Sequence, residues 1–225
     1  ELASRDHIRR IIPLLNEVMK KAGKMPQDLD AVAVTEGPGL AGALLVGNSV
    51  AYGIGLALDI PVVGIHHLEG HLLSSLLAED KPTFPFIALL VSGGHTQIME
   101  VRALGDYELL GETLDDAAGE ALDKAGRTIG LAYPGGISID KISKQGDENA
   151  FKFPHPKVTG SKYDFSFSGL KTSVINTVHN AKQKGEEINV ADLAASFQKS
   201  VVDCLIQNLE KAGVDKNFKK IVIAG

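Results

Sequence analysis

Ile60-Pro61-Val62-Val63-Gly64-Ile65-His66-His67-Leu68-Glu69-Gly70-His71 is a short β-branched run that empties into a histidine cluster. The run reads as a buried strand and the cluster as the start of a helix. On a helix beginning at or just after His66, His67 and His71 lie four residues apart on one face, a spacing that lets two imidazoles reach one metal ion. The plainer alternative is that these histidines cap the helix or sit satisfied in a core. Glu69 follows His67 by two positions, roughly 200° around the helix, whereas a metallopeptidase helix places its glutamate directly after the first histidine. Metallopeptidase chemistry is therefore disfavoured.

Upstream, Ile8, Ile11, Ile12, Leu15, Val18, Met19 and Ala22 have helical spacing, Gly23 is placed to end the helix, and Pro13 either kinks it or marks its start. Ala31–Val34 reads as a strand and is followed by Glu36-Gly-Pro-Gly39. Gly37–Leu58 carries no charge and is long enough to span a bilayer. Its five glycines after Pro38, together with Asn48, Ser49 and Tyr52, point instead to a buried helix packed through small residues. The order helix, strand, helix, strand, helix implies a parallel sheet whose ligands gather at the C-terminal strand ends. The Glu36 and His66 loops lie there.

Glu79–Thr83 is a polar break, and it divides the chain into residues 1–82 and 83–225. In the second part, Phe86–Val91 and Thr96–Val101 read as a hairpin around Ser92-Gly93-Gly94, with Tyr107–Leu110 as a third strand. Leu114–Lys124 reads as an alanine-rich helix with an acidic start. Pro134-Gly-Gly136 breaks the chain, and Phe151–Lys171 is irregular. The final helix is capped by Asn189, with Leu193, Phe197, Val201, Leu205 and Leu209 along one side. Ile221–Gly225 is a strand.

Composition narrows the class. With 225 residues, 44% hydrophobic and 23% charged, the chain is of ordinary globular make-up. A net charge of -5 does not advertise a nucleic-acid binder, so any RNA partner needs a local cationic patch or a second protein. One cysteine, Cys204, rules out a disulfide framework and fits a reducing cytoplasm. The opening Glu-Leu-Ala-Ser-Arg-Asp lacks the basic-then-apolar order of an export signal, so a cytoplasmic, membrane-free protein is expected.

Several stretches suggest chemistry. Ser92-Gly-Gly94 offers backbone N–H groups and a hydroxyl at a tight turn, as a phosphate needs, although many turns carry Gly-Gly for backbone reasons. Asp116, Glu120 and Asp123 form an acidic stripe suited to ribose hydroxyls, or a solvated face with Glu120–Lys124 pairing. Gly136 and Asp140 repeat that logic. His95 fits either a general base or a hydrogen-bond donor. Lys157, Lys162 and Lys171, with Lys152, interleave with Phe153, Tyr163, Phe165 and Phe167, a mixture suited to RNA backbone contact and base stacking if the aromatics are not core.

Glu1-Leu-Ala-Ser-Arg-Asp-His7, Glu36-Gly-Pro-Gly39, His66-His-Leu-Glu-Gly-His71, Leu90-Val-Ser-Gly-Gly-His-Thr96, Asp115-Asp-Ala-Ala-Gly-Glu120, Tyr133-Pro-Gly-Gly136 and Asp164-Phe-Ser-Phe-Ser-Gly-Leu-Lys171 together resemble the tRNA N6-adenosine threonylcarbamoyltransferase family of the bacterial TsaD type. The resemblance runs from the first residue to the last. It implies the α/β actin-like, sugar-kinase and Hsp70-like ATPase fold, with two RNase H-like domains and a nucleotide cleft between them. It also implies one divalent metal ion, iron or zinc, on His67 and His71. Leu90, Val91, Ser92, Gly93, Gly94, Asp123, Gly136 and Asp140 match its nucleotide and substrate contacts. The implied partners are tRNA, threonylcarbamoyl-adenylate and proteins of the same modification pathway, including a paralogous subunit. Relative to the family, a strand and phosphate loop at the start and a Gly-Gly-Val loop, an asparagine and a metal-binding aspartate at the end are not in this sequence. A kinase or ATPase of the same architecture and a non-catalytic scaffold paralogue are the rival readings.

Overall fold

The computed structural model describes residues 2–154, 158–160 and 162–225. Contacts divide the chain into two units, Glu1–Ser74 and Ser75–Gly225, where the sequence suggests a boundary at 82/83.

In the first unit α1 (Leu2–Ala22) continues on both sides of Pro13, so the proline does not mark its start. Gly23, at φ +64°, closes it, with Gly23 N–H donating to Lys20 and Lys24 N–H to Met19. β1 (Val32–Gly37) and β2 (Val62–His66) pair in parallel from Val32↔Val62 to Gly37↔His66, connected by α2 (Ala41–Leu58). α3 (His67–Ser74) follows without a break. The expected buried helix is corrected here. Only Ala51 and Gly55 of α2 are buried, while Leu45, Tyr52 and Leu56 are exposed. Small residues do make the contact, because a Cβ on Gly55 would stand 2.4 Å from a Val62 methyl. A sheet of two strands meets one stripe of the helix and α1 another, with Ser4 against Gly42, and neither covers Leu45, Tyr52 or Leu56. By length and composition α2 would also cross a membrane. Its polar side chains are instead bonded to β1: Asn48 donates to the Thr35 carbonyl at 3.1 Å and Tyr52 to Glu36 at 2.7 Å.

The second unit holds β3 (Phe86–Val91), β4 (Thr96–Ala103), β5 (Asp106–Glu112) and β6 (Ile221–Ala224) in the order β5-β4-β3-β6, with β6 parallel to β3 and the other pairs antiparallel. The helices are α4 (Ala118–Thr128), α5 (Gly135–Ser143), α6 (Ser168–Lys184) and α7 (Val190–Asp215). Ile87, Leu89, Ile98 and Leu110 of the sheet share one core with Ala118, Ala121 and Ala125 of α4, Leu170 and Val174 of α6, and Leu193, Phe197, Val201, Leu205 and Leu209 of α7. Asn189 caps α7 by accepting from Ala191 and Asp192 N–H. Pro134-Gly-Gly136 begins a helix rather than breaking one: Pro134 is the cap of α5 and the glycines are its first two residues. A Cβ on Gly126 would come 2.7 Å from the Gly135 Cα, so the two helices touch backbone to backbone.

Candidate functional site

The histidine pair sits at the carboxyl end of β2. Leu68 and Leu72 are buried and anchor α3. On the neighbouring face the Nε2 atoms of His67 and His71 approach to 3.2 Å, with the rings edge to face. Two nitrogens on a tetrahedral zinc at about 2.0–2.1 Å stand roughly 3.3 Å apart, so the pair fits two adjacent ligand positions. Among the described residues no third His, Cys, Asp or Glu completes a cluster. At the adjoining end of β1 the ladder shifts register at Glu36, an irregularity that re-aims a side chain. Its carboxylate folds across Gly64, where a Cβ would come within 2.1–2.5 Å of it, and accepts from Tyr52. That hydrogen bond, and then the carboxylate's charge, raises the Tyr52 phenol above its ordinary value.

In the second unit Leu90 is buried and its backbone lies between Gln97 and Ala224, so ligand access begins beyond Val91 at the strand end. The Ser92–His95 turn closes on itself. Ser92 N–H donates to the His95 carbonyl at 2.8 Å, and the Ser92 hydroxyl accepts from His95 N–H at 3.1 Å and Gly94 N–H at 3.4 Å. A Cβ added to Gly93 or Gly94 would meet open space. Beneath the turn, a Cβ on Gly119 would stand 2.8 Å from the Ser92 carbonyl oxygen, so the turn rests on the first turn of α4. Asp123 accepts from Gly136 N–H at 2.9 Å, which places its carboxylate at the amino end of α5, where the helix dipole favours negative charge. Asp140 lies one turn beyond Gly136 on α5 and pairs with Lys144 at 3.0 Å, largely exposed. The second oxygen of Asp123 and the solvent-facing Asp140 are acceptors suited to ribose hydroxyls.

Asp115 and Asp116 precede α4 rather than starting it. Asp115 accepts from Phe167 and Ser168 N–H and from the Ser166 hydroxyl, which caps α6. Burial pushes the Asp116 carboxyl up, but hydrogen bonds from Lys124 at 2.5 Å and Lys171 at 2.6 Å outweigh it and hold it below the ordinary carboxylate range. Glu120 joins Lys124 at 2.8 Å. Thr96, fully buried, accepts from Ala118 N–H at 2.9 Å. Sequence reading misses Thr96 and Asp115 as caps because their partners are 22 and 52 residues away.

The aromatic part of the expected RNA patch is overturned. Phe165 exchanges backbone bonds with Glu112 and Leu114, and the segment lies so close to β5 that a Cβ on Gly111 would strike the Tyr163 backbone. Phe165 and Phe167 are fully buried and stacked, and Tyr163 is buried, so none can stack on a base. Lys171 is held by Asp116 and Lys162 by Asp215 at 2.8 Å. Lys157 lies outside the described residues.

A family model described as tRNA N6-adenosine threonylcarbamoyltransferase matches residues 1–225. Curated proteins bearing that name include one from Herminiimonas arsenicoxydans, 56% identical over 225 residues, and one from Acidovorax sp. (strain JS42), 53% identical over 227 residues. Each match covers the whole of this chain and, respectively, 66% and 64% of the relative. Full-length HypF in its phosphate- and nucleotide-bound form is similar in fold, with a TM-score of 0.62, 13% identity, and coverage of 94% of this chain and 34% of that one.

Proposed function

Because the chain belongs to the tRNA N6-adenosine threonylcarbamoyltransferase family and has its α/β actin-like fold, we propose that the full-length protein transfers a threonylcarbamoyl group from threonylcarbamoyl-adenylate to N6 of the adenosine beside the anticodon of tRNA. The observation that carries this reading is identity above 50% along the entire chain to proteins so named. The N6 lone pair attacks the carbamoyl carbonyl carbon, the bond to the adenylate phosphate breaks, N6 loses a proton, and AMP leaves with the bonding pair.

In this proposal His67 and His71 would hold the metal, iron or zinc, which when bound would supply Lewis acidity toward the carbonyl and positive charge for the donor phosphate. The chain's own residues position the donor. Asp123, fixed at the amino end of α5, and Asp140, one turn after Gly136, accept from ribose hydroxyls, and the glycines of the Ser92 turn let the donor approach the backbone. Asp116 is spent on Lys124 and Lys171 and takes no part in this. The reading includes a cytoplasmic location, consistent with the lone reduced-type cysteine, and a paralogous partner subunit in the same pathway.

The test is the full-length protein with its pathway partners, supplied with threonylcarbamoyl-adenylate and tRNA. Mass analysis of the digested tRNA should show threonylcarbamoyl-adenosine and matching AMP. Unmodified tRNA, or label passing from an ATP γ-phosphate to a small acceptor, overturns the proposal.

A further inference from the structure

A net charge of -5 repels RNA at long range, so a protein acting on tRNA needs a place where cations are not already neutralised. Several of the chain's cations fail this. Lys162, Lys171, Lys199 and Lys216 all stand in ion pairs, and Arg102 is held among Glu100, Asp106 and Glu108.

Three surface cavities of the second unit separate on charge. One is lined by Lys199 against Asp147, Glu148 and Asp203, and another by Lys184 against Glu186 and Glu187. The third, about 610 Å³, reverses the balance, with Lys81, Lys219 and Lys220 against Asp80 alone. Among the described residues none of these three lysines forms an ion pair. Lys220 Nζ donates to the Thr83 hydroxyl, a neutral partner that holds the ammonium without cancelling its charge. The backbone keeps the group together. Lys219 and Lys220 enter β6, Ile87 N–H donates to the Lys220 carbonyl, and Lys81 lies on the segment leading to β3.

We infer that this cavity, at the amino ends of β3 and β6, binds phosphates of the tRNA backbone. The inference rests on the tRNA substrate of the proposed function and adds the surface that holds it. The Ser92 turn lies at the other end of β3, six residues along. That is about 20 Å at roughly 3.3 Å per residue, less than one helical turn of a duplex. A tRNA stem seated on the three lysines therefore extends easily past the turn. Each phosphate contact adds about 0.7–0.9 to the slope of log affinity against log salt.

Binding of tRNA to the full-length protein with its partners is titrated against salt for wild type, Lys219→Glu/Lys220→Glu, the milder Lys219→Gln/Lys220→Gln, and Lys182→Glu/Lys184→Glu as a charge-matched control. The Lys219/Lys220 reversal is expected to lower affinity about tenfold or more at low salt and to reduce the slope by roughly 1.4–1.8, two phosphates' worth. The glutamine pair should move both in the same direction by less, the control should match wild type, and AMP affinity should hold throughout. Equal slopes in wild type and both Lys219/Lys220 variants, or an equal loss in the control, overturn the inference. So does a wild-type protein that fails to bind tRNA. A wild type that binds tRNA through these lysines yet transfers nothing removes the proposed reaction and leaves the surface standing. Modification with unaltered binding in the variants does the reverse.

Discussion

Gly119→Ala probes the link between the fold and the nucleotide-side turn. The added Cβ would stand 2.8 Å from the Ser92 carbonyl oxygen, 2.9 Å from the Gly93 Cα and 3.1 Å from the Gly93 nitrogen. All three are backbone atoms, so no rotamer change relieves the contact. Overpacking of this kind costs about 1–3 kcal/mol, against a gain of at most about 0.5–1 kcal/mol from replacing a helical glycine by alanine. Gly169→Ala supplies the control. Gly119 and Gly169 are both second residues of their helices, α4 and α6, but a Cβ on Gly169 meets nothing within 4 Å. Its propensity gain is therefore matched, and the difference between the variants isolates the clash. Gly119→Ala should melt lower than Gly169→Ala, by about 2–4 °C for each kcal/mol in a domain of this size. Because the displaced part is the turn, AMP affinity measured by calorimetry should fall in Gly119→Ala alone. Equal melting temperatures and equal AMP affinities would refute the claim that α4 supports the turn.

Asp123→Asn should leave stability nearly unchanged, since asparagine caps a helix as well as aspartate does, while weakening AMP binding by about 1.5–3 kcal/mol; calorimetry with thermal melts checks both, and an unaffected affinity would make Asp123 a cap only. His67→Ala and His71→Ala should each strip metal from the purified full-length protein without unfolding it, because Leu68 and Leu72 rather than the histidines anchor α3; metal content by mass spectrometry decides this. The Asp116 carboxyl is depressed in the folded state, so it contributes stability above its unfolded value of about 3.9 that is lost as pH falls through the lower folded one. In urea melts Asp116→Asn should therefore show a smaller drop in stability below about pH 4 than wild type does. Burial pushes the Cys204 thiol up to about 11, so iodoacetamide at pH 8 should label it only after denaturation.

The elements carried by strong local patterns are legible in the sequence. Phe86–Val91 is a strand as read, and the Asn189 cap with its five apolar residues on α7 stands as read. What escapes is whatever depends on a partner far along the chain. Asp115 and Asp116 look like a helix's acidic first turn, because local charge pattern favours that placement. Their actual partners, Phe167, Ser168 and Lys171, arrive some fifty residues later and draw the pair out of the helix into a bridge between the approaches to α4 and α6. Pro134-Gly-Gly136 looks like a chain break for the related reason that glycine is read as flexibility. Here Gly135 answers to the backbone of α4, whose Asp123 carbonyl oxygen would stand 2.7 Å from a Cβ at that position.

The same physics decides which lysines can meet RNA. Alternating aromatics and lysines between Phe151 and Lys171 suggest a binding surface only while the strand beside them is unknown. Once Glu112 of β5 and Leu114 just beyond it serve as backbone partners, Phe165 and Phe167 turn into the core, Lys171 folds back to Asp116 and Lys162 to Asp215. Lys81, Lys219 and Lys220 carry no such pattern, since Lys219 and Lys220 look like ordinary solvated flanks of a strand and Lys81 like part of a polar turn. That they have no carboxylate partner among the described residues follows from topology: β6 returns to pair in parallel with β3 and sets two lysines beside a third, about 140 residues earlier in the chain, with Asp80 the one acidic residue among those lining the cavity. A cation's availability is thus a property of its surroundings rather than of its sequence neighbours, and charge reversal at Lys219 and Lys220 tests that distinction directly.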